Sequence, residues 1–115
     1  MALRRVSTDA ELRIDIAALR AAIAKDRAAG FQPACLLATG GTVNTGAIDD
    51  LDAMADLAAE ERLRLHVDGC IGVLVAISPA HAHRVSGIAR ADSVALDAHK
   101  WLYEYGCTRR AASGR

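Results

Sequence analysis

Short apolar runs alternate with amphipathic stretches along this chain, and this alternation limits the folds that it can adopt. Strands are predicted at Leu3–Val6, Ala34–Ala38 and Arg64–Asp68, with a last strand leading to Lys100. Helices are predicted between Asp15 and Gly30, from Asp50 to Arg62 and from Ala80 to Ala89. The alternation of strands and helices predicts an α/β fold built on a parallel sheet.

Length and composition are those of one small globular domain. The chain has 115 residues, of which 52% are hydrophobic, and its formal net charge is zero, so no nucleic-acid-binding face is expected. No apolar run approaches the length of a membrane span, and no N-terminal signal is recognisable. The three cysteines are widely spaced and match no metal-ligand pattern. We therefore expect reduced thiols, a cytoplasmic location and no metal site.

Three polar features follow predicted strands and should meet at one edge of the sheet. Thr42 lies in a loop of glycines and small hydroxyl residues, Asp68 ends a strand, and Lys100 follows the last strand. The carboxyl ends of parallel strands share one edge, where ligands bind in open α/β sheets. The loop Thr39–Gly46 lacks the lysine of a P-loop and the GxGxxG spacing, so by itself it more often indicates an ordinary turn.

Lysine is scarce in this sequence, which has two lysines and twelve arginines. Lys25 lies in a charged patch that a solvated helix face explains, whereas Lys100 stands between a histidine and the single tryptophan. Unlike arginine, lysine can lose its proton and attack a carbonyl carbon. Taken alone, the segment Asp92–Trp101 is compatible with a Schiff-base lysine. It is equally compatible with a lysine whose stem packs over an aromatic ring at the sheet rim.

A lysine, a carboxylate and a hydroxyl-rich glycine loop at one sheet edge suit pyridoxal 5'-phosphate. The amine can form a Schiff base with the cofactor's aldehyde, and the carboxylate can keep the pyridine nitrogen protonated, which makes the ring an electron sink. Hydroxyls and backbone amides can hold the phosphate.

The same segments resemble a known family, the group II pyridoxal-phosphate-dependent amino-acid decarboxylases, which include the aromatic-L-amino-acid and glutamate decarboxylases. His66–Gly72 reads HVDGCIG and is similar to the family's HVDAAYG segment. Asp92–Trp101 resembles the ADS…D-x-HKW lysine motif, and Thr39–Asp49 resembles the T-x-GTT…G-x-x-D loop. The three motifs occur in the family's order, and the HKW tripeptide favours decarboxylases over aminotransferases of the same fold.

The resemblance implies a role for each matching residue. Lys100 would bind the cofactor's aldehyde covalently, and Asp68 would pair with the pyridinium nitrogen. His99 would lie beside this linkage and the phosphate, and Thr42 near the ring substituents. Cys70 occupies the position of a small alanine that packs on the ring face.

The resemblance also implies a fold and a reaction. Residues 1–108 would be part of the three-layer major domain of fold type I pyridoxal-phosphate enzymes, and residues 109–115 an unstructured tail. The reaction would convert an amino acid to an amine and carbon dioxide, and full-length relatives are expected to be homodimers. Asp97 matches a motif position from which it would support His99 or Lys100.

Family members are much longer than this chain, so the match covers a middle part of the cofactor-binding domain. Because a partial site cannot orient the cofactor, the 115-residue chain by itself is expected to fold weakly and to be inactive. Two alternatives stand beside the decarboxylase interpretation. One is a non-catalytic remnant of such an enzyme, and the other is a different lyase or a desulfurase of the same fold. The identity of the amino-acid substrate does not follow from these residues.

Overall fold

The computed structural model of the chain describes residues 2–102, together with the backbone of residues 109–113. Its helices are α1 (Ile16–Ala28), α2 (Leu51–Glu61) and α3 (Ala98–Trp101). Its strands are β1 (Cys35–Thr39), β2 (Arg64–Asp68), β3 (Ser93–Asp97) and β4 (Arg109–Ser113). Three short 3₁₀-helices, Val73–Ile77, Ala82–Val85 and Ile88–Arg90, connect β2 to β3. No helix within the described residues is long and apolar enough to cross a membrane.

The four strands form one sheet in the order β1-β2-β3-β4. Strands β1, β2 and β3 run parallel, with Thr39 opposite Asp68 and Asp68 opposite Ala95. Strand β4 pairs with β3 in the antiparallel direction. The predicted α/β fold with a parallel sheet is confirmed.

Helix α2 packs on one face of this sheet, and α1 packs against α2 in the same buried cluster. Side chains alternate along β1, so that Leu36 is buried whereas the neighbouring Leu37 is 53% exposed. The buried cluster contains Leu19, Ile23, Leu36, Ala38, Leu51, Met54, Leu57, Leu65 and Val67. Among the described residues, the two long helices thus form one layer, which covers a single face of the sheet.

Both long helices begin at an aspartate that caps the first turn. Asp15 Oδ1 accepts a hydrogen bond from the backbone N–H of Ala18, and Asp50 Oδ1 accepts one from that of Ala53, each at 3.0 Å. A carboxylate at this position satisfies a free N–H group and complements the helix dipole. Helix α1 is followed by Gly30 at a φ of +83°, which is the predicted stop.

The predicted helix Ala80–Ala89 is wrong, because Gly87 separates two 3₁₀-helices in this segment. Gly87 has a φ of +84°, and a Cβ placed on it would lie 2.7 Å from the backbone nitrogen of Asp52 in α2. A left-handed residue that approaches another backbone so closely interrupts an α-helix. Arg90 binds Asp56 of α2 at 2.5 Å and holds the 3₁₀-helix Ile88–Arg90 against α2.

The ends of the chain also differ from the prediction. Leu3–Val6 forms no strand within the described residues, since Leu3 is exposed and Arg4 instead binds Asp26 of α1. Residues 109–113, predicted to be unstructured, form β4. The edge of β3 offers backbone N–H and C=O groups to any returning segment, and this pairing needs no local hydrophobic pattern.

Candidate active site

The three parallel strands end together at one edge of the sheet. The backbone N–H of Gly40 donates to the carbonyl of Asp68 at 2.7 Å, and that of Gly69 donates to the carbonyl of Ala95 at 3.0 Å. The pairing therefore continues past the ends of β1 and β2. Asp97 ends β3, and α3 follows it directly. This is the edge at which open α/β sheets bind ligands.

Glycines allow the loops after β1 and β2 to touch backbone to backbone. A Cβ on Gly72 would lie 2.2 Å from the carbonyl oxygen of Gly40, and a Cβ on Gly41 would lie 2.7 Å from Gly72 Cα. Gly41 also has a φ of +118°. Glycine alone satisfies this close approach and this backbone conformation together. The contact fixes the loop that carries Thr42 against the loop that carries Cys70.

Asp97 lies beneath the two basic side chains of α3. Its side chain is 7% exposed, with Oδ1 2.5 Å from Nδ1 of His99 and Oδ2 3.5 Å from Nζ of Lys100. The side chains of His99 and Lys100 are 48% and 35% exposed. One buried carboxylate thus contacts both basic groups while leaving them accessible. Asp97 is expected from the sequence to support His99 or Lys100, and it contacts both.

Asp68 and Cys70 lie near these groups at the end of the neighbouring strand. Asp68 Oδ1 accepts a hydrogen bond from the backbone N–H of Cys70 at 3.2 Å. Burial raises the pKa of the Cys70 thiol, and the hydrogen bond and negative charge of Asp68 raise that pKa further. Lys100 lowers the pKa of Cys70 and Asp97 raises it, so the thiol lies within electrostatic range of both.

Thr42 lies in the adjoining loop, and its hydroxyl is hydrogen-bonded to other residues of the same loop. Thr42 Oγ1 is hydrogen-bonded to Thr45 Oγ1 at 2.6 Å and accepts a hydrogen bond from the backbone N–H of Ala47 at 3.1 Å. Of the predicted site residues, the structure therefore brings together Asp68, Cys70, His99 and Lys100. It places Thr42 beside this cluster, with its hydroxyl engaged elsewhere.

Sequence reasoning missed the structural part played by Asp49. Its buried carboxylate accepts hydrogen bonds from the backbone N–H groups of Thr39 and Ile14, each at 2.7 Å. Asp49 thus joins the segment before α1 to the end of β1, where the glycine loop begins. The available signal was the pair Asp49-Asp50, since one aspartate suffices to cap α2 and the other is free for a different task.

A parallel α/β sheet that presents a lysine and a carboxylate at neighbouring strand ends offers the two groups that pyridoxal-phosphate-dependent enzymes use to hold their cofactor. Residues 1–109 match the family model described as the pyridoxal-dependent decarboxylase conserved domain. The chain belongs to this family, as its three motifs predict.

Curated relatives and solved structures are similar over most of this chain. The aromatic-L-amino-acid decarboxylase of Bacillus atrophaeus is 44% identical over 106 residues, which are 90% of this chain and 22% of that protein. The cysteine sulfinic acid decarboxylase of Rattus norvegicus is 48% identical over 75 residues, which are 65% of this chain and 15% of that protein.

The fold is likewise shared with solved structures. The crystal structure of mouse CSAD matches with a TM-score of 0.88 at 40% identity, covering 94% of this chain and 23% of that one. The crystal structure of Oryza sativa TDC with PLP and tryptamine matches with a TM-score of 0.85 at 34% identity, covering 96% and 24%. This chain therefore spans about a quarter or less of the length of these relatives.

Proposed function

We propose that this chain is the cofactor-anchoring segment of an enzyme that removes carbon dioxide from an amino acid with the help of pyridoxal 5'-phosphate. The observation that carries the proposal is the position of Lys100. Its amine belongs to α3, directly after β3, and lies 3.5 Å from the buried carboxylate of Asp97. A second carboxylate, Asp68, ends the neighbouring strand β2. Family membership and the likeness to decarboxylases over most of the chain support the same function.

The donor groups of this edge fit the proposed cofactor. Lys100 offers a partly exposed amine, Asp68 offers an exposed carboxylate for a ring nitrogen, and the loop Thr39–Gly46 offers hydroxyls and backbone N–H groups. When bound, pyridoxal phosphate supplies an aldehyde that reacts with amines and a protonated ring that withdraws electrons. In this proposal Lys100 anchors the cofactor and Asp68 holds its ring nitrogen protonated.

Three further residues complete the proposed site. His99 would lie beside the anchoring lysine and the cofactor's phosphate, and Cys70 would contact the ring face. Thr42 lies near the ring substituents, for which its hydroxyl would exchange its present partner Thr45. The substrate class is an amino acid, because relatives with very different side-chain preferences by name, such as L-2,4-diaminobutyrate decarboxylase and cysteine sulfinic acid decarboxylase, match the same segment.

Covalent trapping of the cofactor tests the anchoring residue. The folded chain is incubated with pyridoxal phosphate, reduced with borohydride and digested, and the labelled peptide is identified by mass spectrometry. We expect the label on Lys100, with Lys25, which is exposed on α1, as the control for non-specific reaction. Lys100→Arg keeps the positive charge beside Asp97 and should abolish the label. Equal labelling of Lys25 and Lys100 would contradict the anchoring proposal.

Release of carbon dioxide decides between the decarboxylase and the alternatives. The protein isolated at its natural length is given a panel of amino acids labelled at the carboxylate carbon, and the released gas is counted. Carbon dioxide with an amine product supports the decarboxylase. Release of sulfur or another group in its place would indicate a desulfurase or a different lyase, and trapping at Lys100 without any turnover would indicate a non-catalytic remnant.

We further propose a homodimer in the cytoplasm. A reduced compartment agrees with Cys35 and Cys70, neither of which forms a disulfide within the part of the chain that the structure describes. Light scattering of the protein at its natural length tests the dimer, and fractionation of the source cells tests the location.

A further inference from the structure

The contact between Asp97 and His99 involves one particular ring nitrogen. Asp97 Oδ1 lies 2.5 Å from Nδ1 of His99, and the second oxygen, Oδ2, lies 3.5 Å from Nζ of Lys100. The imidazole is half exposed, while the carboxylate is almost completely buried. Nε2, the other nitrogen of the ring, is not engaged by Asp97.

The buried carboxylate has no competing structural task within residues 2–102. Asp97 precedes α3, but its side chain caps no backbone N–H group of that helix. Oδ1 is buried and lacks an aligned hydrogen bond, because its contact with His99 meets the distance of a hydrogen bond but not its angle. A small rotation of the half-exposed ring would align the two groups and satisfy this oxygen, which favours a proton on Nδ1.

Among the side chains of residues 2–102, His99 and Lys100 are the basic groups that contact this carboxylate. From β2 and the loop after it, the nearby ionisable groups are Asp68, a second carboxylate, and Cys70, whose pKa is raised. A neutral thiol and a like charge cannot neutralise a buried carboxylate. Arg109 is opposite Asp97 in the backbone register of β4.

We propose that Asp97 is a positioning residue that fixes His99 in the tautomer with hydrogen on Nδ1 and leaves Nε2 as the proton-accepting nitrogen. The hydrogen bond made by one ring nitrogen determines which nitrogen carries the proton. Through its other oxygen, the same carboxylate keeps the Lys100 amine beside this ring. The tautomer assignment rests on the contact between Asp97 and His99, and its use as a proton carrier beside the cofactor rests on the function proposed above.

Nitrogen-15 NMR of the histidine rings tests this assignment directly in the cofactor-free chain. The protein is labelled with ¹⁵N-histidine and measured at about pH 8.5, where a free imidazole is neutral. Long-range proton–nitrogen correlations then identify the protonated nitrogen of each ring, and loss of a signal in His99→Gln assigns His99. His81 and His83, which are exposed, report the tautomer that solvent favours.

We expect His99 to carry its proton on Nδ1, while His81 and His83 mostly carry theirs on Nε2. In Asp97→Ala, His99 should change to the pattern of the two exposed histidines, and Asp97→Glu should restore the Nδ1 proton at least in part. A proton on Nε2 of His99 in the unmodified protein would overturn the proposal without need of any variant. So would an Nδ1 proton that persists in a folded Asp97→Ala protein.

The cofactor-trapping experiment separates this proposal from the proposed function. A proton on Nδ1 of His99 together with no labelling of Lys100 would refute the cofactor site and leave the tautomer assignment standing. Labelling of Lys100 together with a proton on Nε2 would refute the positioning role of Asp97 and leave the proposed function standing.

Discussion

Cys70 shows how one residue of the edge depends on its neighbours. Its thiol is partly buried, its backbone N–H is held by Asp68, and its pKa is raised first by burial and then by Asp68. A raised pKa leaves a smaller fraction of thiolate at neutral pH, and the thiolate is the reactive form. We therefore expect burial and Asp68 to make this cysteine less reactive, although it lies at the candidate active site.

Alkylation kinetics test this effect at Cys70. At neutral pH, iodoacetamide should modify the peptide with Cys70 more slowly than the peptide with the exposed Cys35, and the rate at Cys70 should level off at a higher pH than an ordinary thiol requires. Asp68→Asn removes one cause of the raised pKa but not burial, so it should speed the reaction partway. The rate at Cys35 is the internal control. A slower reaction of Cys70 in Asp68→Asn would show that Asp68 does not act through its charge.

At the scale of elements, Asp49 joins segments that are distant in sequence. Its two hydrogen bonds connect β1 to the chain before α1, so its removal leaves two backbone N–H groups without their partner. Asp50, the next residue, caps a single exposed helix turn. Two neighbouring aspartates therefore differ in what they stabilise.

Substitution of each aspartate by alanine should separate these contributions. Asp49→Ala is expected to lower the free energy of unfolding by about 2–4 kcal/mol, because two partly buried backbone donors lose their acceptor. Asp50→Ala, the matched control, should cost about 1 kcal/mol, as for an exposed helix cap. Urea titrations followed by circular dichroism give both values. Equal losses for the two variants would mean that Asp49 acts as no more than a helix cap.

Some helices and strands of this chain could be predicted from local sequence, and others could not. Helices α1 and α2 and strand β2 follow from capping aspartates and apolar spacing, which are local signals. The helix expected at Ala80–Ala89 fails because Gly87 must approach Asp52, a residue of another element. Strand β4 likewise depends on the free edge of β3. Lys100 and Asp68 could be found because the ends of parallel strands meet at one edge. For Asp49, the pair Asp49-Asp50 was a local signal, but it does not show which segments the carboxylate joins.

At the scale of the whole molecule, the described residues cover the two faces of the sheet unequally. Leu36 is 5% exposed on the face of β1 that packs against α2, while Leu37, on the opposite face of the same strand, is 53% exposed. Parallel sheets in stable domains are buried on both faces. The uncovered face agrees with the expectation that the 115-residue chain by itself folds weakly. Leu36 and Leu37 offer a test, because they are the same residue type on the same strand and differ in the face that they occupy.

Leu36→Ala should lower the free energy of unfolding by about 2–5 kcal/mol, because it leaves a cavity in the packed face. Leu37→Ala should change it by no more than about 0.5 kcal/mol, as at other exposed positions.

The apolar dye ANS should bind the unmodified chain at the uncovered face, and Leu37→Lys should weaken that binding while the circular dichroism spectrum stays unchanged. Equal destabilisation by Leu36→Ala and Leu37→Ala would show that the chain covers this face in solution, for instance by pairing with a second copy. Pairing with a second copy depends on protein concentration, whereas coverage within one chain does not. Repeating the titration at a tenfold dilution therefore distinguishes pairing from coverage within the chain.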